Sequence, residues 1–392
     1  MAAYRQLDYM NLDAELSEEE IMVRDTVRGW VGERYIPIVM EHFEAGTFPT
    51  ELTGELAELG VFGSNLPEEY GCAGLNNVAY GLICQELERG DSGLRSFVSV
   101  QGALVMYPIF TFGSEEQRRH WLPKLASGEA IGCFGLTEPD FGSNPGGMLT
   151  TAKRDGDSWV LNGRKMWITN GTIADVAVVW ARTDEEGNPV RGFLVEKGTP
   201  GFSAPEQKHK WSLRASITSE LVLEDVRVPA DAILPESGGL KSPLMCLSAA
   251  RYGIAWGAMG AAHAAFDEAL QYSQERIVFD KPLAGFQIPQ KKLADMATEI
   301  TLAQLMCLRL GRLKDEGKVT PQHISMAKRN SCRKALEITR ECRDMLGANG
   351  ISLEYQVGRH LCNLESVITY EGTHDIHTLA IGYELTGIPA VR

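Results

Sequence analysis

Asp155-Gly-Asp-Ser-Trp-Val-Leu-Asn-Gly163-Arg-Lys-Met-Trp-Ile-Thr-Asn-Gly171 is the stretch on which the fold turns. Asp155-Gly156, Asn162-Gly163 and Asn170-Gly171 are turn dipeptides set between short apolar runs, and such pairs supply the positive φ that tight hairpins need. Each predicts a turn. Beyond them, Val176-Ala-Val-Val-Trp180, Gly192-Phe-Leu-Val195 and Leu221-Val-Leu223 read as strands, being rich in β-branched and aromatic residues. Residues from about 129 to 236 are thus expected to form a small β-domain, a barrel or sandwich.

Outward from this centre the texture becomes helical on both sides. Ser17-Glu-Glu-Glu20 has the form of a capping box, and Val23, Val27, Trp30 and Val31 follow on one helical face. Pro67-Glu-Glu-Tyr-Gly71 breaks the pattern. Helix is predicted again from Tyr80 through Ile83 and Leu87 to Met106, where Tyr107-Pro108 interrupts it. Ser114-Glu-Glu-Gln117 is a second capping box leading into Trp121 and Leu125. Toward the C-terminus, Leu293, Met296, Ile300, Ala303, Cys307 and Leu310 advance by threes and fours, the stripe of a bundled helix. The expected fold class is α+β, mainly α: an N-terminal helical domain (1–128), the central β-domain (129–236) and a C-terminal four-helix bundle (237–392).

At 392 residues, 44% apolar and 23% charged, the chain can bury a large core. It contains no run of about eighteen apolar residues, so no membrane span is expected. Met1-Ala-Ala-Tyr-Arg-Gln-Leu-Asp-Tyr-Met10 lacks the apolar core of a secretory signal and the Arg/Ser-rich character of an organelle presequence. A bacterial cytoplasm, or a mitochondrial matrix after processing, is the expected location. The net charge of −14 argues against a nucleic-acid partner, which needs clustered Lys and Arg. The eight cysteines show no C-x-x-C pair and read as reduced, mostly buried thiols. His374 and His377 flank Asp375 without further ligands at suitable spacing, so no metal is expected.

Four stretches are candidates for chemistry. In Val367-Ile-Thr-Tyr-Glu-Gly-Thr-His-Asp-Ile-His377, Gly372 allows a sharp turn that would leave Glu371 pointing into a cavity. Desolvation there would raise its pKa and suit it to moving protons near neutral pH; the alternative is an acidic loop residue capping the next helix. Phe134-Gly-Leu-Thr-Glu-Pro-Asp-Phe-Gly-Ser143 could bring amides and hydroxyls to a polar ligand, or simply connect to the β-domain. In Lys165-Met-Trp-Ile-Thr-Asn-Gly171, Trp167 and Thr169 could equally be core and strand. Arg95, flanked by Leu94, Phe97 and Val98, is costly to bury unpaired, and Glu88 stands two turns earlier on the same face.

Taken together, these segments resemble the acyl-CoA dehydrogenases. The Phe134–Ser143 and Lys165–Gly171 segments look like that family's two flavin-contacting signatures. Arg276-Ile-Val-Phe-Asp-Lys-Pro-Leu283, Gln287 and Asp344-Met-Leu-Gly-Ala-Asn-Gly350 look like its later FAD elements, and Tyr370-Glu-Gly-Thr373 like its base motif. The resemblance implies FAD held by Phe134, Leu136, Thr137, Ser143, Trp167, Ile168, Thr169, Thr373 and Asp375. From a neighbouring subunit it adds Arg276, Phe279, Gln287, Asp344 and Gly347. It also implies an acyl-CoA substrate, electron-transferring flavoprotein as electron acceptor and a homotetramer. Val278, Asp280, Asn144 and Ala348 depart from the usual Gln, Gly, Asp and Gly, and the change at Asp280 puts the local turn in question.

The match narrows toward the glutaryl-CoA dehydrogenases through Glu88-Arg-Gly-Asp-Ser-Gly-Leu-Arg-Ser96, Ser99-Val-Gln101, Ser212-Leu-Arg-Ala-Ser216, Ala250-Arg-Tyr-Gly-Ile-Ala-Trp256 and Tyr370–His377. That branch implies catalytic roles for Glu371, Arg95, Tyr370 and Glu88. Arg95 and Ser96 would meet a far carboxylate, Ser143 and Arg251 the CoA portion, and Gly372 the thioester. The implied reaction is oxidative decarboxylation of glutaryl-CoA to crotonyl-CoA and CO2. Rivals are another dicarboxyl-CoA such as benzylsuccinyl-CoA, a short-chain acyl-CoA, a non-decarboxylating enzyme, and a nucleic-acid-binding protein on the same fold.

Overall fold

A computed structural model describes residues 7–390; the first six residues of the stretch read for a leader lie outside them. The first layer is helical: α1 (Glu18–Trp30), α2 (Ile36–Ala45), α3 (Thr53–Glu58), α4 (Asn77–Gly90), α5 (Ser92–Ser99), α6 (Tyr107–Phe112) and α7 (Glu115–Ala126). Both capping boxes form, at Ser17/Glu20 and Ser114/Gln117. The long helix predicted from Tyr80 to Met106 instead breaks at Asp91. That residue is extended (φ −167°, ψ 146°) and caps α5 by accepting from the Gly93 N–H at 2.6 Å. Tyr107-Pro108 causes no interruption: a π-helical turn over Val100–Met106, closed by the Tyr107 N–H on Gly102 O, runs straight into α6, and the widened turn accommodates Pro108, which lacks an N–H.

The central layer is one seven-stranded sheet curled into a half-barrel. Its strands are β1 (Gly132–Gly135), β2 (Thr151–Asp155), β3 (Ser158–Thr169), β4 (Val176–Thr183), β5 (Val190–Glu196), β6 (Phe202–Ser203) and β7 (Thr218–Pro229), in the order β1-β4-β2-β3-β7-β6 with β5 on the other side of β4. Asp155-Gly156 makes the β2–β3 hairpin and Asn170-Gly171 ends β3. Asn162-Gly163 is no turn. It is a bulge within β3, where the register against β7 slips between Leu161 and Gly163, and a Cβ at 163 would stand 2.3 Å from Thr150 Oγ1. An Asn-Gly pair marks local backbone freedom, and the neighbouring chain decides whether that becomes a reversal or a bulge.

The third layer is α8 (Lys241–Glu275), a short hairpin of β8 (Ile277–Val278) and β9 (Lys281–Pro282), then α9 (Gln287–Asp315), α10 (Pro321–Met345), α11 (Val357–Val367) and α12 (His374–Thr386). The stripe read from Leu293 to Leu310 faces the interior, buried from Met296 onward and half-buried at Leu293. In the β8–β9 turn Phe279 (φ 48°) and Asp280 (φ 65°) are both left-handed, so the hairpin closes with Asp where glycine is usual. α8 crosses α4 at close quarters because it carries glycine there: a Cβ at Gly257 would lie 2.0 Å from Glu88 Oε2, and one at Gly260 1.9 Å from Gln85 O. All eight cysteines are free thiols, seven of them buried. Among the described residues no helix is long and apolar enough to cross a membrane, and no group of three or more His, Cys, Asp or Glu is placed to hold a metal ion.

Candidate active site

Tyr370-Glu371-Gly372 forms the short link between α11 and α12. Glu371 (φ 52°) and Gly372 (φ 92°) are consecutive left-handed residues, a conformation that an L-residue such as Glu adopts only when its surroundings compel it. The link ends where the Thr373 hydroxyl caps α12, accepting from the Ile376 N–H at 3.2 Å. Asp375 follows in the exposed first turn. Glu371 is half-buried, yet its Oε2 is buried and has no hydrogen-bond partner among the described residues. Burial pushes this carboxyl up from its ordinary range, while the charges of Arg95, Lys328 and Arg251 oppose the rise.

Arg95, fully buried on α5, lies beside this link. Its Nε donates to Glu88 Oε2 at 2.7 Å, its Nη1 to Ser99 Oγ at 3.0 Å, and its Nη2 to the Tyr370 hydroxyl. Ser92 Oγ donates to the other Glu88 oxygen at 2.8 Å. Burial works against the guanidinium charge, and Glu88, followed by Tyr370 and Glu371, more than restores it, holding Arg95 charged. Tyr370 is pushed well up by burial and stays a neutral donor–acceptor. Ser96, one residue on, is 5% exposed. The Glu88–Arg95 pair forms as the spacing predicts, although the helix breaks between the two residues.

A second wall comes from the sheet. Lys165 Nζ donates to Leu136 O at 3.1 Å and to Glu138 Oε1 at 2.8 Å, and Met166 N donates to Thr137 O at 2.9 Å. The two segments singled out in the sequence therefore lie side by side. Trp167, at φ 63°, is held out of the core and is 63% exposed. Phe134 and Ile168 point into the core, Phe134 against Trp180, while Thr169 pairs with Thr218 in the sheet. Ser143 stands exposed on the loop beyond. Arg276, Phe279, Gln287, Asp344 and Gly347 all lie on exposed surface, Phe279 at 87% and Asp344 paired with Lys292 at 2.5 Å.

Three features escaped the sequence. Arg251, expected against the CoA portion, donates from Nε to the Glu371 carbonyl at 2.6 Å. Lys328 Nζ donates to Tyr370 O at 2.5 Å and Gly372 O at 2.7 Å. Asp91, besides capping α5, pairs with buried Arg359 and accepts from Asn363 Nδ2 at 2.7 Å, locking the α4–α5 junction to α11. A signal for Lys328 was present. It sits on the same helical stripe as Ile324, Cys332 and Ala335, and a charge on an apolar stripe calls for a partner.

A helical layer, a curled sheet and a helical bundle bring an unpartnered carboxyl oxygen beside three cations, the arrangement of an enzyme that moves protons. The profiles for the acyl-CoA dehydrogenase N-terminal, middle and C-terminal domains match residues 17–129, 133–226 and 237–386, and the chain belongs to the acyl-CoA dehydrogenase family. It is 38% identical to the human mitochondrial short-chain specific acyl-CoA dehydrogenase over 386 residues, covering 98% of this chain and 94% of that one. A crystal structure of a glutaryl-CoA dehydrogenase from Mycobacterium smegmatis in complex with FADH2 superposes with a TM-score of 0.97 at 55% identity, covering 99% of this chain and 100% of that one. Butyryl-CoA dehydrogenase from Megasphaera elsdenii superposes with a TM-score of 0.91 at 35% identity, covering 97% and 100%. The family uses FAD. The site fits a flat aromatic cofactor: Trp167 is held facing out at a strained backbone angle, on a wall that the Lys165–Glu138 pair fastens through Leu136 O and the Leu149 and Thr150 amides.

Proposed function

We propose that this acyl-CoA dehydrogenase oxidises and decarboxylates glutaryl-CoA, giving crotonyl-CoA and CO2. The observation that carries the reading is the buried Arg95, hydrogen-bonded to the hydroxyl of Tyr370, the residue immediately before Glu371. Glu88, Ser99 and Tyr370 each take one of its donors, and a guanidinium has five, so two remain for a carboxylate. A plain fatty acyl chain would leave those donors dry and unpaired, which disfavours it.

In this reading FAD, when bound, supplies the acceptor for the hydride that leaves Cβ. Thr137, Ser143, Trp167, Ile168, Thr169, Thr373 and Asp375 would hold it, with Phe134 and Leu136 backing the wall. Arg276, Phe279, Gln287, Asp344 and Gly347 would reach it from a neighbouring subunit of a homotetramer. Glu371 removes the α-proton. Its burial raises the proton affinity toward the working pH, and the Glu371 and Gly372 backbone presents the thioester. Ser143 and Arg251 border the path of the CoA portion. Arg95 and Ser96 hold the far carboxylate, and Glu88 balances the guanidinium charge. Once the chain is unsaturated, loss of CO2 leaves its electron pair in a dienolate that the thioester carbonyl stabilises. Glu371, now protonated, returns the proton to the γ-carbon. Electron-transferring flavoprotein would take the electrons onward.

Incubation of purified protein with glutaryl-CoA and a one-electron acceptor tests this, with crotonyl-CoA and CO2 expected in equal amounts. Glutaconyl-CoA accumulating alone would overturn the decarboxylation, and turnover of benzylsuccinyl-CoA or butyryl-CoA alone would reassign the substrate. Arg95→Ala is expected to cost about 2–5 kcal/mol in kcat/KM for glutaryl-CoA, roughly thirty-fold or more, and far less for butyryl-CoA.

A further inference from the structure

Lys328 is a buried cation to which the reaction above gives no task. It is 1% exposed on the inward face of α10. Its ammonium reaches the carbonyls on either side of Glu371, Tyr370 O at 2.5 Å and Gly372 O at 2.7 Å, while Arg251 on α8 reaches the carbonyl between them at 2.6 Å. Two cations from two helices thus grip three successive carbonyls. The grip falls on a segment that needs it, because Glu371 sits at φ 52°, where a non-glycine residue costs about 1–2 kcal/mol.

Carbonyls solvate an ammonium without cancelling its charge. Among the described residues no carboxylate forms an ion pair with Lys328, so its field extends to its neighbours. The groups facing Glu371 come from every packed element: Tyr80 from α4, which burial pushes well up and keeps neutral, Arg95 from α5, Arg251 from α8 and Lys328 and Cys332 from α10. Tyr370 precedes it, Glu88 on α4 is tied to Arg95, and His377 on α12 approaches Gly372. Burial holds the Cys332 thiol up at about 11 and the His377 imidazole down at about 3, so both are neutral at ordinary pH. Lys328, drawn down to about 8 by burial, keeps its charge below that pH.

We propose that Lys328 is a positioning residue for the proton transfer: by clamping the backbone on both sides of Glu371 it sets where the carboxylate points, and by its charge it sets how readily that carboxylate ionises. This rests on Glu371 being the base.

The test uses the FAD-loaded enzyme with Lys328→Met and Lys328→Gln. Gln keeps a neutral polar donor at the position should Met fail to fold. Two quantities are read: the acidic limb of the kcat/KM profile, and the midpoint of the Glu371 carboxyl band in an infrared titration without substrate, taken as a difference against Glu371→Gln. Both are expected to move up by about one pH unit, as for loss of a nearby opposite charge, and kcat is expected to fall more than KM rises. A lysine that merely filled space would lower the melting temperature and leave both midpoints in place, and that result, or a downward move, overturns the proposal. If the wild-type enzyme turns over no acyl-CoA, the base assignment fails by itself, while the infrared midpoint still reports whether Lys328 acts on Glu371.

Discussion

Lys165 and Lys328 are both at most 1% exposed, and burial pulls both down to about 8, yet the chain holds them in opposite ways. On the sheet side, Lys165 has a carboxylate of its own. Glu138 takes its proton donor at 2.8 Å and also accepts from the N–H groups of Leu149 and Thr150 at 2.6 and 2.9 Å, so the charges cancel within one closed set. On the helical side, Lys328 meets two carbonyls and the face of the Tyr370 ring, 5.8 Å from its centroid, and Glu371 is the carboxylate left to feel it. A paired buried cation is architecture, stapling two loops into a wall. An unpaired one keeps its field available to whatever reacts beside it.

Removing the carboxylate that distinguishes the two lysines should have the largest effect. Glu371→Gln keeps the side-chain volume and abolishes the base. Turnover of glutaryl-CoA is expected to fall by about 10²–10⁴ while the purified variant still carries FAD, visible in its absorbance. Full activity in this variant would leave Lys328 with nothing to tune and would end the comparison.

Next in size is the cost of unpairing the sheet-side lysine. Glu138→Ala strands Lys165 in the interior and frees two N–H groups, so the loss should be about 3–5 kcal/mol, read from denaturant midpoints. Lys328→Met strands no carboxylate and should cost less. If the two variants lose the same stability, the distinction between paired and carbonyl-cradled lysine has no energetic content.

The sheet-side device was half legible in the sequence; of the helical one only the charge of Lys328 on an apolar stripe was legible, not what it grips, and the separation of the partners explains it. Capping boxes span three residues and Glu88–Arg95 spans seven, so periodicity alone brings those groups together. The three-layer order followed from the same local texture. The grip on the base loop joins residues 42, 44 and 120 positions apart, and only the packing of α8 and α10 against the α11–α12 link creates it. Likewise Asn162-Gly163 had the composition of a turn, and its role as a bulge was decided by Thr150 across the sheet. The break at Asp91 was hidden because its reason, Arg359 and Asn363, lies 268 and 272 residues away.

The smallest effect is expected at His377, and it discriminates charge from mere proximity. His377 is 1% exposed, its Nδ1 lies 3.0 Å from Ser325 Oγ, and its Nε2 is 2.9 Å from where a Cβ on Gly372 would stand. Burial first, then the charges of Lys328 and Arg251, push the imidazole down to about 3 from an ordinary 6.5. Between those values the unfolded chain takes up a proton that the folded chain refuses, so this histidine makes stability fall as pH drops through that window. Above it the group is neutral in both states and contributes only its packing and hydrogen bond. His377→Gln should therefore cost about 1 kcal/mol near pH 7.5 and less near pH 5, where the wild type carries a penalty the variant lacks. Because one neutral side chain replaces another, the acidic limb of kcat/KM should stay where it is, in contrast to Lys328→Met. If His377→Gln displaces that limb as far as the lysine variant does, the imidazole is charged in the fold, and the field on Glu371 cannot be assigned to Lys328.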